Sequence, residues 1–157
     1  MTKRLRILLT LGWIPTLALV GGLRWLSTPP AEAQTRTPIK VTRIYTGDDN
    51  RTHAEELEVP LHRPGQSLTA LAEAVPVVSV QFRRTSQDYY LDFHNAPRRQ
   101  YVITLAGESE VELGDGTKIR LYPGHILLAE DTTGQGHISR AIGTADRISV
   151  FLPLAEQ

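Results

Sequence analysis

From Ile39 onward, apolar and polar residues alternate in short runs with a period of two, the mark of half-buried strands. Ile39, Val41 and Arg43 alternate with Lys40, Thr42 and Ile44, and Leu57, Val59 and Leu61 share one face of residues 55–61. Residues 77–84 are rich in β-branched side chains. Over residues 89–94, Tyr90, Asp92 and His94 fall on one face and Leu91 and Phe93 on the other. Strands are predicted again at 100–105, 108–113, 118–121, 125–129 and 147–154. Only residues 67–74 read as a helix, about two turns long, ended by Val75 before Pro76 because the residue before a proline is pushed out of the helical region.

The turns between these runs decide the class. Gly107, Asp115 with Gly116, and Pro123 with Gly124 each separate two strand-like runs, as in an antiparallel sandwich or barrel. No strand–helix–strand alternation occurs, which argues against a parallel sheet. The expectation is a single all-β barrel domain over residues 39–157.

The N-terminal pattern differs. Lys3, Arg4 and Arg6 precede a mostly apolar run over residues 7–23, followed by Arg24, Trp25 and a polar stretch from Ser27. Ala31-Glu32-Ala33 has the small-x-small form of a signal cleavage site, with Gln34 as the new N-terminus. Two readings stand side by side. Residues 1–33 are a cleaved secretory signal, or residues 7–26 are an uncleaved hydrophobic helix at the short limit of a membrane span, with Trp25 at the interface. In both, the positive flank stays cytoplasmic and the domain is periplasmic or otherwise extracytoplasmic, free or anchored in an inner or energy-transducing membrane. Residues 34–38, ending at Pro38, read as linker.

Composition narrows the function. Lys plus Arg and Asp plus Glu both number 17, giving a formal net charge of zero. That argues against nucleic acid as a partner. With no cysteine, the chain has no disulfides, thiolate metal sites or cysteine nucleophiles. No Gly-x-Ser-x-Gly elbow is present, and Ser109 falls in a predicted hairpin. Gly134-Gln135-Gly136 lacks the strand–helix setting of a phosphate loop. Arg83-Arg84 and Arg98-Arg99 read as alternating, partly solvated strand ends, or as a source of arginines that hold a carboxylate at the barrel mouth.

Two stretches carry a family resemblance. Asp92-Phe93-His94-Asn95-Ala96-Pro97-Arg98-Arg99-Gln100-Tyr101, continuing to Gly107, resembles the first cupin motif. The stretch from Gly116 through Pro123-Gly124 to Ala129-Glu130-Asp131-Thr132-Thr133-Gly134-Gln135-Gly136-His137 resembles the second. The chain is thus similar to small single-domain bacterial cupins. The resemblance implies a double-stranded β-helix, a jelly-roll barrel, here behind one N-terminal hydrophobic helix.

The resemblance also implies a site. His94 matches the family's first motif histidine, Ala96 the second, Gln100 the glutamate and His137 the histidine of the second motif. The implied metal ligands are therefore His94, Gln100 and His137, for a divalent ion such as Fe, Mn, Ni or Zn. Gln brings no charge and Ala brings no donor, so Asp92, Tyr90, Glu130 or Asp131 would have to complete the set. The other reading makes Tyr90, His94, Gln100, Val102 and His137 the lining of a pocket for an organic molecule. His137 is then the candidate catalytic group, since imidazole moves protons near neutral pH. Glu130 and Asp131 either assist it or hold a loop through backbone hydrogen bonds. His53, His62 and His125 stand apart, with His125 a turn residue. The functional expectations are a cupin domain binding a small organic molecule, or a non-catalytic accessory subunit of a larger membrane protein complex. Pairing of two copies as a homodimer is a further expectation by analogy.

Overall fold

The computed structural model describes residues 38–155. The expected hydrophobic helix, cleavage site and linker up to Thr37 lie outside the described residues. Among the described residues there are ten strands: β1 (Ile39–Thr46), β2 (Thr52–Val59), β3 (Gln81–Thr85), β4 (Tyr90–His94), β5 (Gln100–Ala106), β6 (Glu108–Glu112), β7 (Lys118–Leu121), β8 (Ile126–Glu130), β9 (His137–Ile142) and β10 (Arg147–Pro153). No helix occurs among the described residues.

The strands form two sheets, one ordered β2-β1-β8-β5-β10-β3 and the other β4-β9-β6-β7. Strands β3 and β10, β4 and β9, β5 and β8, and β6 and β7 pair antiparallel. The pairs are nested, so the chain from β3 to β10 is one long hairpin ribbon coiled over two sheets. That is the jelly-roll topology, and it confirms the expected fold class. The β1–β2 hairpin widens the first sheet, with β1 parallel to β8.

The core lies between the sheets, where alternate residues of each strand point inward. Val102 of β5, Val111 of β6, Leu121 of β7, Leu127 and Ala129 of β8 and Phe151 of β10 form one buried cluster with Ile44, Ala96 and Leu113. The turn glycines marked in the sequence take left-handed backbone, with φ of +66° at Gly107 and +84° at Gly116. At Gly107 a side chain would also run into the backbone of Asp146 and Arg147.

Two expectations are corrected. Residues 67–74 do not form a helix: Leu71 makes an isolated bridge to His62, and Leu68 is 91 % exposed. Two turns of Leu and Ala without an apolar face to bury cannot offset the cost of nucleating a helix. A strand is also present that the pattern did not predict. In β9, His-Ile-Ser-Arg-Ala-Ile lacks a clean alternation, but pairing with both β4 and β6 supplies its hydrogen bonds.

Around β3, an edge strand, Val78, Val80 and Phe82 are exposed, Phe82 by 73 %.

Candidate functional site

A cavity of about 210 Å³ opens between the two sheets. Its walls are apolar: Val102, Val111, Leu121, Leu127 and Phe151. Its polar groups are His94, Gln100, His137, Ser139, Arg83 and Arg147. Apolar walls with a few converging polar groups are the usual form of a small-molecule site, and the volume is below the ~300–1,000 Å³ typical of such sites.

His94, at the end of β4, and His137, at the start of β9, are paired across the two strands. Their ring centroids are 4.4 Å apart, with planes inclined by 54°. His94 Nδ1 donates to the backbone carbonyl of Asp92 at 2.8 Å. His137 Nδ1 donates to Asp131 Oδ2 at 2.5 Å. Since each carbonyl or carboxylate only accepts, both rings carry the proton on Nδ1, and Nε2 is the nitrogen left for chemistry. Burial holds His94 below the ordinary imidazole range, with the nearby His137 acting in the same direction.

Asp131 is fully buried and also accepts from Thr52 Oγ1 at 3.2 Å. The adjoining loop is fixed by backbone and side-chain bonds. Ala96 N donates to the Asp131 carbonyl, Asn95 Nδ2 donates to the Thr133 carbonyl at 2.6 Å, and Gln135 N donates to the Asn50 carbonyl. Gly136, at φ +74°, lies so close to the His94 carbonyl that any Cβ would collide with it. The glycine is what lets the loop deliver His137 to His94. The two roles weighed for the Glu130–Asp131 stretch thus divide: the loop is hydrogen-bonded as a loop, and the Asp131 carboxylate itself serves His137. Glu130 is engaged elsewhere. Arg43 Nε donates to it at 2.5 Å and Arg99 donates to its other oxygen. Burial pushes the Glu130 carboxyl up, but hydrogen bonds from Arg99 and Arg43 outweigh it and hold the group below its usual range.

The pocket residues expected from the sequence divide as well. His94, Gln100, Val102 and His137 all line the cavity. Tyr90 does not: it is 58 % exposed and outside the lining. The cause is an irregularity in the β4–β9 pairing between Leu91 and His94, which breaks strict alternation and turns Leu91 toward the cavity beside His94. Asp92 is exposed too.

Arg147 was not singled out in the sequence. It is 9 % exposed at the start of β10 and lines the cavity. Its Nη1 donates to Ser109 Oγ at 2.5 Å, and its Nε is buried with no acceptor. Burial pushes the guanidinium down; Tyr89 opposes this, and Arg83 adds to it. No sequence signal marked it: the alternation along β10 makes Ile148, Val150 and Leu152 the apolar face, whereas Arg147, Ser149 and Phe151 are the buried one.

The donor set does not fit a tightly held metal. Ala96, 4 % exposed, fills the position of an expected ligand with a methyl group. Gln100 offers only a neutral oxygen, and Asp92 and Glu130 are turned or engaged elsewhere. Among the described residues no group of three or more His, Asp or Glu side chains is placed to hold a metal ion.

The nested strand pairs settle the architecture. The fold is a double-sheet jelly roll. Compared with protein-family models and with curated proteins, the sequence matches none. Solved structures of similar shape include the cupin domain of Cnp3 from Schizosaccharomyces pombe, 14 % identical, covering 79 % of this chain and 88 % of that one, with a TM-score of 0.41. An RmlC-like cupin protein from Desulfovibrio desulfuricans is 18 % identical, with 59 % and 96 % covered and a TM-score of 0.37. A 3,4-ketoisomerase from Helicobacter canadensis is 15 % identical, with 63 % and 81 % covered and a TM-score of 0.40. These are likenesses of shape alone.

Proposed function

We propose that this chain is an extracytoplasmic jelly-roll domain that binds a small organic molecule between its sheets. One observation carries the reading: an apolar cavity of about 210 Å³ on which His94, Gln100, His137 and Arg147 converge. The placement outside the cytoplasm rests on the charged, apolar and Ala-Glu-Ala pattern of residues 1–33. If the bound molecule is also transformed, His137 is the group that would move a proton at Nε2, with Asp131 holding Nδ1–H and so fixing the tautomer and the ring orientation.

The test is a thermal-shift screen of small organic molecules against the full chain, repeated with Leu127→Trp, which fills the cavity. Compounds that raise the melting temperature of the wild type and lose their effect in the variant support the reading. A screen without such compounds, or shifts equal in both proteins, overturns it.

A second reading, a non-catalytic accessory subunit of a larger membrane protein complex, has its own support. Val78, Val80 and Phe82 form an exposed apolar group on and beside the free edge strand β3, a surface suited to burial against another protein. Phe82→Glu would then release the chain from a membrane complex on native gels without changing its melting temperature. Unchanged migration would count against that reading.

A further inference from the structure

The arginines around the cavity are unbalanced by acids. Arg83 and Arg147 line it, and Arg83, Pro97 and Gln100 also line an adjoining pocket that includes Arg98. A third pocket at the same end contains Arg98 and Arg99. No aspartate or glutamate lines any of the three. In a chain of zero net charge this is a local accumulation of positive charge at a low-dielectric opening, the arrangement that draws in anions.

The individual arginines are not equivalent. Arg99 is committed to Glu130, and Arg84 to Asp146. Arg83 lies over the Phe151 ring at 3.8 Å and donates only to the neutral Gln81. Arg147 is the decisive one. Among the described residues it has no carboxylate partner, its Nη1 goes to a serine hydroxyl, and its buried Nε has no acceptor. An unpaired guanidinium in a protein interior is costly, because removal from water is not repaid by an opposite charge. Ser109 takes Nη1 and Nε is enclosed, which leaves Nη2 as the donor a ligand carboxylate can engage, with the whole guanidinium charge behind it.

We propose that the ligand of this cavity is a compact organic carboxylate whose negative end pairs with Arg147, with Arg83 at the entrance and the organic body between the apolar walls toward His94 and His137. This rests on the small-molecule reading above and specifies its chemical class. The cavity size sets the scale: about 210 Å³ suits a compact acid rather than a nucleotide. The apolar walls, including Val111, Leu121 and Leu127, distinguish an organic acid from a bare inorganic anion, which would find nothing to hold on that side.

The test is calorimetric titration of the full chain with acetate, pyruvate, succinate and benzoate and with their matched amides, alongside inorganic phosphate. At least one acid should bind, its amide about 30-fold or more weakly, because removing one member of a desolvated charge pair costs about 2–5 kcal/mol. Arg147→Lys should weaken that acid by about tenfold or more, since a single ammonium cannot hold Ser109 and the acid through separate nitrogens as the guanidinium does. Arg83→Met, at an exposed position, should weaken it without affecting the fold. Arg147→Met should abolish acid binding and leave the melting temperature of the ligand-free protein unchanged or higher. Amides binding as well as acids, or acid binding indifferent to Arg147→Lys and Arg83→Met, would overturn the carboxylate and leave the small-molecule reading standing. Binding confined to phosphate also overturns it. If neither acids nor amides bind and the Leu127→Trp comparison shows no ligand of any kind, both readings fall together.

Discussion

Asp131 Oδ2 lies 2.5 Å from His137 Nδ1, and the Asp131 side chain is completely enclosed. The carboxylate orients the imidazole on the cavity wall and ties the loop before β9 to Thr52 on β2. Asp131→Asn keeps the shape but removes the charge, and should cost about 1.5–3 kcal/mol, the scale of hydrogen bonds to charged groups. Asp131→Ala should cost more, because it also leaves His137 and Thr52 without an acceptor. Urea unfolding at neutral pH measures both; a neutral outcome for Asp131→Ala would show that the pair does not hold the loop.

Gly136 and Gly116 separate two effects of a left-handed backbone. Their φ values are +74° and +84°, so an added Cβ is strained at both. At Gly116 it meets open space, whereas at Gly136 it strikes the His94 carbonyl. Gly116→Ala should therefore cost about 1 kcal/mol, the conformational term alone. Gly136→Ala should cost at least about 2 kcal/mol more, since His94 and the loop cannot both keep their positions. It should also weaken ligand binding, which Gly116→Ala should not. Equal destabilisation by the two substitutions would contradict the close approach.

His125 supplies a pH dependence. Its Nε2 is 2.8 Å from Thr42 Oγ1, its Nδ1 is buried without a partner, and burial holds the ring below the ordinary value of 6.5. The unfolded chain therefore binds this proton more readily than the folded one. The stability contributed by the neutral ring is fully present above pH 6.5 and is lost as the pH falls through the folded-state value. Melting temperature should decline from about pH 6.5 to about pH 5, before carboxylate titration dominates. His125→Gln should flatten that decline. His94 is shifted in the same direction, so a remnant should persist. A decline as steep in the variant as in the wild type would remove His125 as its source.

The strand framework was legible because its signals are local. Gly107, Gly116 and Gly124 mark turns by the backbone they require, and the period of two marks the strands between them. His94, Gln100 and His137 were found because the resemblance placed them, and the jelly roll brings all three to one cavity. What escaped depends on pairing rather than on composition. Strand β9 is held by two neighbours and has little pattern of its own. The exchange of Tyr90 for Leu91 follows from an irregular register that no single strand displays. Arg147 carried no mark in the sequence because its hydrogen-bond partner Ser109 lies 38 residues away along the chain. Residues 67–74 show the reverse case, a sequence with helix-forming side chains and no tertiary surface to reward them.

The metal question can be posed by restoring what the sequence lacks. Ala96 and Gln100 both line the cavity with His94 and His137, so Ala96→His with Gln100→Glu would present three imidazoles and a carboxylate to one space. Such a set suits a divalent ion, whereas two imidazoles and an amide do not. The double variant should bind about one equivalent of Zn, Mn, Ni or Fe and gain melting temperature with the ion, an increase reversed by chelator. The wild type should carry much less than one equivalent, and its melting should be indifferent to chelator. Each single variant should fall between, with Gln100→Glu the stronger because it adds charge as well as a donor. A wild type that retains a full equivalent through purification and loses stability on chelation would show that His94, Gln100 and His137 suffice without a third imidazole or a carboxylate.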